Sequence, residues 1–201
     1  MDKRAIIEKL KEYKYVSFDI FDTLVKRDSY RSKNVFDMIA ASFKESDCCI
    51  ENFPAKRICA EMLCRKKSLN QEITINEIYE ELSKNDSVDV CEEYKKKEFD
   101  VELALCQTNR LIMEVYEWCR ANDKKIIITS DMYLPKEFIE EVLHKTGYEG
   151  YVKLYLSSDV KKTKATGDLY KFILEDLCIK ADVIVHIGDN LKSDYSKAIE
   201  N

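Results

Sequence analysis

Four short stretches are apolar at nearly consecutive positions: YVSFDI (15–20), KIIIT (125–129), VKLYLS (152–157) and VIVHIG (183–188). Runs this short, without alternation, predict strands buried on both faces. With helical patterns between them, they predict an α/β fold with a mostly parallel sheet. Phe138, Ile139, Val142 and Leu143 recur at helical spacing, as do Leu169, Tyr170, Ile173, Leu174 and Leu177. Pro135 suits the first turn of the former helix. The opening MDKRAIIEKLKEY has the pattern of a charged amphipathic helix rather than a signal peptide.

Between about 31 and 121 no strand-like run occurs, but helical stripes follow one another. Val35, Phe36, Ile39 and Phe43 form one, and Ile58, Met62 and Leu63 are part of a second. Ile75, Ile78, Tyr79 and Leu82 form a third, opened by Thr74 with Glu77 three residues on, a capping-box pattern. Phe99, Leu103 and Cys106 are followed by Leu111, Val115 and Trp118. The simplest organisation is a core of 1–25 and 108–201 with an all-helical block, 26–107, inserted after the first strand. A block entered there sits over the carboxyl ends of the strands, where ligands bind in open α/β sheets, and is expected to act as a lid.

Composition narrows the partners. At 201 residues there is room for one core plus an insert. The net charge of -5, with both signs interspersed, argues against a nucleic-acid binder that works through a basic face. No run approaches the roughly 20 apolar residues that cross a bilayer, so no membrane insertion is expected and a cytoplasmic protein is the default. The eight cysteines include no CxxC pair and predict buried thiols in a reducing compartment, not a disulfide framework or a zinc site. Of the two histidines, His186 falls within VIVHIG and reads as a packed strand residue. The chain stops about a dozen residues after the last strand-like run. Either it is a fragment of a longer protein or its sheet is small.

The ends of these strands carry the chemistry. Asp19 ends the first; Thr129, Ser130 and Asp131 end the second; Asp189 follows the fourth in GDNLKSD, with Asp194 five residues on; Lys164 lies in KKTKATGDLY before a helix. Parallel strands bring such residues to one crevice. Carboxylates from separate strands suit Mg²⁺ with positions left for phosphate, and a lysine and a hydroxyl suit the remaining phosphate oxygens. The chemistry this serves is attack by a carboxylate on phosphorus through an aspartyl-phosphate. Plainer roles stand beside these. Asp22 suits a turn cap for the donors near Thr23 and Leu24, Asp131 a cap for the helix after Pro135, and Lys164 membership of a solvated run. Arg27, Tyr30 and Arg31 suit either an exposed linker or contact with an anionic substrate.

These stretches resemble the four motifs of the haloacid dehalogenase superfamily, in order and over nearly the whole chain. That resemblance implies a Rossmann-like three-layer core and a helical C1 cap. FDIFDTL resembles the first motif, which implies Asp19 as nucleophile and the Phe21 backbone carbonyl as a metal ligand. IIITSD resembles the second, with Ser130 as the phosphate-binding hydroxyl and Thr129 its rival. KATGDLY resembles the third, with Lys164 as the cation. HIGDNLKSD resembles the fourth, with Asp189 as metal ligand and Asp194 as a second acidic group, in direct contact with the metal or one shell out. The implied cofactor is Mg²⁺ and the implied substrate a small phosphorylated metabolite. Similar stretches, DIFDTL and SDMYLP together, occur in hydrolases of bacterial surface-polysaccharide loci, sometimes fused to glycosyltransferases, so a fused or associated domain of that kind is a further expected partner.

The first motif departs from the family's DxDGT. The Thr-Leu pair fixes the alignment, which puts Phe21 where phosphatases carry their acid/base aspartate and displaces Asp22 by one. Loss of that proton donor is worth about 10²–10⁴ in rate. Three readings follow: a Mg²⁺-dependent phosphohydrolase whose proton comes from Asp22, water or substrate; a dehalogenase- or phosphonatase-type reaction; and a non-catalytic scaffolding domain.

Overall fold

The computed structural model describes residues 3–27, 35–46 and 48–201, so Tyr30 and Arg31 lie outside the described residues. Helix α1 (Lys3–Leu10) precedes strand β1 (Tyr15–Phe18), which turns into β2 (Val25–Arg27). Four helices follow among the described residues, α2 (Val35–Ser42), α3 (Phe53–Lys67), α4 (Ile75–Leu82) and α5 (Val88–Leu105), before β3 (Cys106–Thr108). Then come α6 (Arg110–Ala121), β4 (Lys125–Ser130), α7 (Lys136–Lys145), β5 (Lys153–Leu156), α8 (Asp168–Leu177) and β6 (Ile184–Ile187).

The four strands expected from the apolar runs form one parallel sheet in the order β5-β4-β1-β6. The register sets Phe18 beside Ile128 and Ile187, so the residues that leave β1, β4 and β6 emerge together. This is the mixed α/β, Rossmann-like architecture expected. Val16, Phe18, Ile126 and Ile128 are buried, as strands covered on both faces must be. β6 is different: each of its residues is half-buried, because it lies at the sheet edge.

The helical stretch is opened and closed by a two-stranded antiparallel ribbon, β2 with β3. Cys106–Thr108 is thus a strand inside the stretch expected to hold none; it takes Cys106 out of the helical positions begun by Phe99 and Leu103 and separates them from Leu111, Val115 and Trp118. Three residues of ribbon carry too few positions for a period to show. The capping box forms as expected, with Thr74 Oγ1 accepting from the Glu77 amide and the Glu77 carboxylate accepting from the Thr74 amide. Pro135 stands one place earlier than expected, as the residue capping α7 rather than in its first turn.

Helix α3 reverses its predicted face. Ile58, Met62 and Leu63 are exposed, and the buried positions are Phe53, Arg57 and Ala60. Arg57 goes inward because Glu98 of α5, equally buried, takes its guanidinium in two hydrogen bonds of 2.9 and 2.8 Å. The cysteines also divide. All are free thiols, but Cys48, Cys49, Cys59 and Cys178 are exposed while Cys91, Cys106 and Cys119 are buried.

Candidate active site

Asp19 leaves β1 directly, and its buried amide donates to Ile187 O at 2.9 Å. The turn that follows is closed by main chain: Asp22 N–H donates to Val25 O and Val25 N–H to Ile20 O, both at 2.8 Å. Asn109 and Tyr148 hold it from outside. Asn109 Nδ2 donates to Thr23 O at 2.7 Å, and the Tyr148 hydroxyl to Leu24 O at 2.6 Å. Asp22 takes the left-handed conformation, φ 62°, which aspartate tolerates better than most side chains. Its carboxylate makes no hydrogen bond among the described residues and so does not cap the turn. It lines the cavity instead, as does Phe21, because the left-handed step breaks the alternation of an extended strand.

Lys164 is buried with its ammonium between two carboxylates, 2.5 Å from Asp19 Oδ1 and 2.7 Å from Asp194 Oδ1. It is no member of a solvated run. Asp131 fixes its loop, accepting from Lys164 N at 2.7 Å and Ala165 N at 3.1 Å, so this carboxylate braces the lysine loop rather than capping α7. Ser130 and Thr129 part company. Ser130 lines the cavity, whereas Thr129 Oγ1 lies 2.9 Å from Ser17 Oγ in the protein interior.

His186 belongs to the same network. Its Nδ1 is 2.8 Å from Ser17 Oγ and its Nε2 3.4 Å from Asp194 Oδ1. Burial drives its pKa down to about 4, so it stands neutral beside the carboxylate. Hydropathy hid this role, since an apolar strand reads as core at every position; the signal was the register that pairs Ser17 with His186 on one face.

Asp19, Asp22, Ser130, Lys164, Asp189 and Asp194 line one cavity of about 410 Å³, with Phe21 and Arg27 also in its wall. Burial raises the Asp19 carboxyl to about 6 in spite of Lys164. Burial also pushes Asp194 upward, but His186 and Lys164 outweigh it and hold that carboxyl well below the usual range. Asp189, more exposed, is raised by burial. Carboxylate oxygens of Asp19, Asp189 and Asp194 lie within 4.8 Å of one another, an all-oxygen donor set that fits a hard divalent cation and leaves positions for phosphate.

The helical block reaches this site from one side. In the loop between α3 and α4, Gln71 Oε1 accepts from Thr163 N at 2.9 Å and Thr166 Oγ1 at 2.7 Å. The neighbouring Glu72 accepts from Ser157 Oγ at 3.1 Å, and that hydroxyl accepts from Met132 N at 2.8 Å. The block therefore bonds directly to the loop that carries Lys164 and, through Ser157, to the loop that follows Ser130. Sequence patterns gave no sign of this, because a polar loop has no period.

A family model for haloacid dehalogenase-like hydrolases matches residues 13–199. No curated protein matches the chain by sequence. Among solved structures the fold is similar to a HAD family enzyme from Bacteroides thetaiotaomicron in complex with magnesium and inorganic phosphate, at 18% identity and TM-score 0.64 over 94% of this chain and 90% of that one. It is likewise similar to a 2-haloacid dehalogenase from Pseudomonas syringae, at 16% identity and TM-score 0.68 over 94% of this chain and 83% of that one.

Proposed function

The chain belongs to the haloacid dehalogenase-like hydrolases, and from that premise we propose that it is a Mg²⁺-dependent phosphohydrolase acting on a small phosphorylated metabolite through an aspartyl-phosphate. The observation that carries this reading is the convergence of Asp19, Asp189 and Asp194 on one point with Lys164 bonded between two of them.

Asp19, near 6, is ionised at neutral pH, and its free oxygen forms the bond to phosphorus as the ester P–O bond breaks. Lys164 steadies the attacking carboxylate and gives positive charge to a phosphate oxygen, and the Ser130 hydroxyl donates to another. Asp19, Asp189, Asp194 and the Phe21 carbonyl would hold Mg²⁺, which would supply charge to neutralise the phosphate. The departing alkoxide takes its proton from Asp22, which faces the cavity, or from water; a second water then releases phosphate and restores Asp19. The helical block serves as the cap, docked through Gln71 and Glu72. Phe21 favours a second reading, a reaction whose leaving group needs no proton, because no acid stands at its position.

Phosphate release from a panel of phosphomonoesters, with Mg²⁺ and with a chelator, tests the proposal. Turnover that vanishes with the chelator and in Asp19→Asn supports it. Turnover of wild type untouched by the chelator moves the protein to the second reading. Asp22→Asn decides the proton: a fall of about 10²–10⁴ makes Asp22 the donor, and a smaller one leaves it to water.

A further inference from the structure

Arg27 ends the first strand of the ribbon, and its guanidinium lies over the Phe21 ring, 4.8 Å from the centroid. Two carboxylates neighbour it at ion-pair range only, Glu102 at 3.6 Å and Asp22 at 4.0 Å. Among the described residues it makes no hydrogen bond: its buried Nε has no partner, and neither does Glu102 Oε2. A guanidinium offers five donors in a rigid fork that matches a carboxylate or phosphate, and these two long ion pairs engage it only loosely, with the buried Nε unpartnered, so donors remain for a ligand. Lys192 lines the same cavity and has no ion pair among the described residues. The cavity, at about 410 Å³, is roomy for more than a phosphate group.

The phosphate end is already served by Ser130, Lys164 and the three carboxylates. Arg27 is separate from that set and is oriented by stacking on the residue that replaces the family's acid/base. From this arrangement we infer that Arg27, held on Phe21, is a specificity residue that binds a second anionic group, carboxylate or phosphate, on the leaving part of the substrate. The inference rests on the phosphohydrolase reading for the ester and on the Arg27 geometry for the second anion. Such a substrate spans the cavity, with its ester at Asp19 and its second charge at the ribbon, where the helical block begins.

Matched substrates test it. Glycerol 3-phosphate and 3-phosphoglycerate differ by a carboxylate on the leaving group; fructose 6-phosphate and fructose 1,6-bisphosphate differ by a second phosphate. Wild type is expected to favour the doubly anionic member of at least one pair by about 10- to 100-fold in kcat/KM, chiefly through KM. Which pair responds tells carboxylate from phosphate. Arg27→Gln collapses that ratio towards one, and Arg27→Lys restores part of it. No preference in wild type overturns the inference, and so does an Arg27→Gln variant that lowers both members equally. If no ester turns over, the phosphohydrolase reading fails on its own, and thermal protection judges the anion site. Equal protection of wild type by 3-phosphoglycerate and glycerol 3-phosphate then overturns the inference; greater protection by 3-phosphoglycerate that Arg27→Gln removes upholds it.

Discussion

Gly188 and Asp194 occupy adjoining space so closely that a methyl group on the glycine would stand 2.5 Å from Asp194 Cβ and nearer still to its carboxylate. Gly188 directly follows β6, and Asp194 folds back over it from the helical turn beyond, where its Oδ2 accepts from Asn190 N at 3.0 Å. Gly188→Ala must therefore push Asp194 off His186 and Lys164. Displacement of a site group by about 1 Å costs on the order of 10² in rate. The expected outcome is that loss, with weakened Mg²⁺ binding by calorimetry and an unchanged far-UV spectrum. Wild-type metal affinity in Gly188→Ala would show that Asp194 is not held by this contact.

Asp19 carries a cost to stability whose sign is fixed by its shift. Unfolded, the carboxyl loses its proton near 3.8; folded, burial keeps it protonated up to about 6. The folded state thus binds more protons between these values, and stability falls as pH rises through that window, by about 3 kcal/mol as an order of magnitude. In the presence of a chelator, Asp19→Asn removes this cost while Lys164 keeps Asp194. Its melting temperature is expected to exceed wild type at pH 7.5 and to converge with it below pH 4. A variant no more stable than wild type at neutral pH would mean that Lys164 offsets the burial of Asp19 fully.

The two hydroxyls at the end of β4 have opposite surroundings. Ser130→Ala is expected to lower kcat/KM by about 10-fold or more through loss of a hydrogen bond to a charged phosphate, with little change in stability. Thr129→Val removes one of the two partners of buried Ser17, leaving His186, and is expected to cost about 0.5–1.5 kcal/mol in urea unfolding. The reverse pattern would return the phosphate-binding role to Thr129.

How far the sequence revealed this protein depends on what each residue's neighbours are. The β1, β4, β5 and β6 strands were legible because burial on both faces forces apolar runs, and Asp19, Lys164, Asp189 and Asp194 were legible because parallel strands bring their ends together. Two classes of residue were hidden. Arg57 was invisible as core because a charged side chain goes inside only where a partner from another helix meets it, and Glu98 is 41 positions away. Asp131 looked like a helix cap because local rules judge a carboxylate by its own helix, whereas its donors come from Lys164 and Ala165, over 30 residues on. Gln71 escaped for the same reason, and Arg27 could be read only as a linker residue or an anion contact: what they do is defined across the gap between the block and the sheet.

The pair at the heart of the helical block yields the last prediction. Arg57 and Glu98 are both fully buried, and Glu98 also accepts from the Tyr79 hydroxyl at 2.8 Å and the Tyr133 hydroxyl at 3.3 Å. Tyr133 belongs to the loop after β4, so this carboxylate also links the block to the sheet that carries the site. Neutralising Glu98 leaves the buried Arg57 with Glu61 alone, 3.1 Å away, and Glu98→Gln is expected to cost about 3 kcal/mol. Replacing the charged pair and its nearest donor together, by Arg57→Met, Glu98→Leu and Tyr79→Phe, removes the desolvation cost along with the attraction and is expected to recover most of that loss. Urea midpoints of the single and triple variants decide it. A triple variant as unstable as Glu98→Gln would show that the ion pair contributes net stability beyond offsetting its own burial.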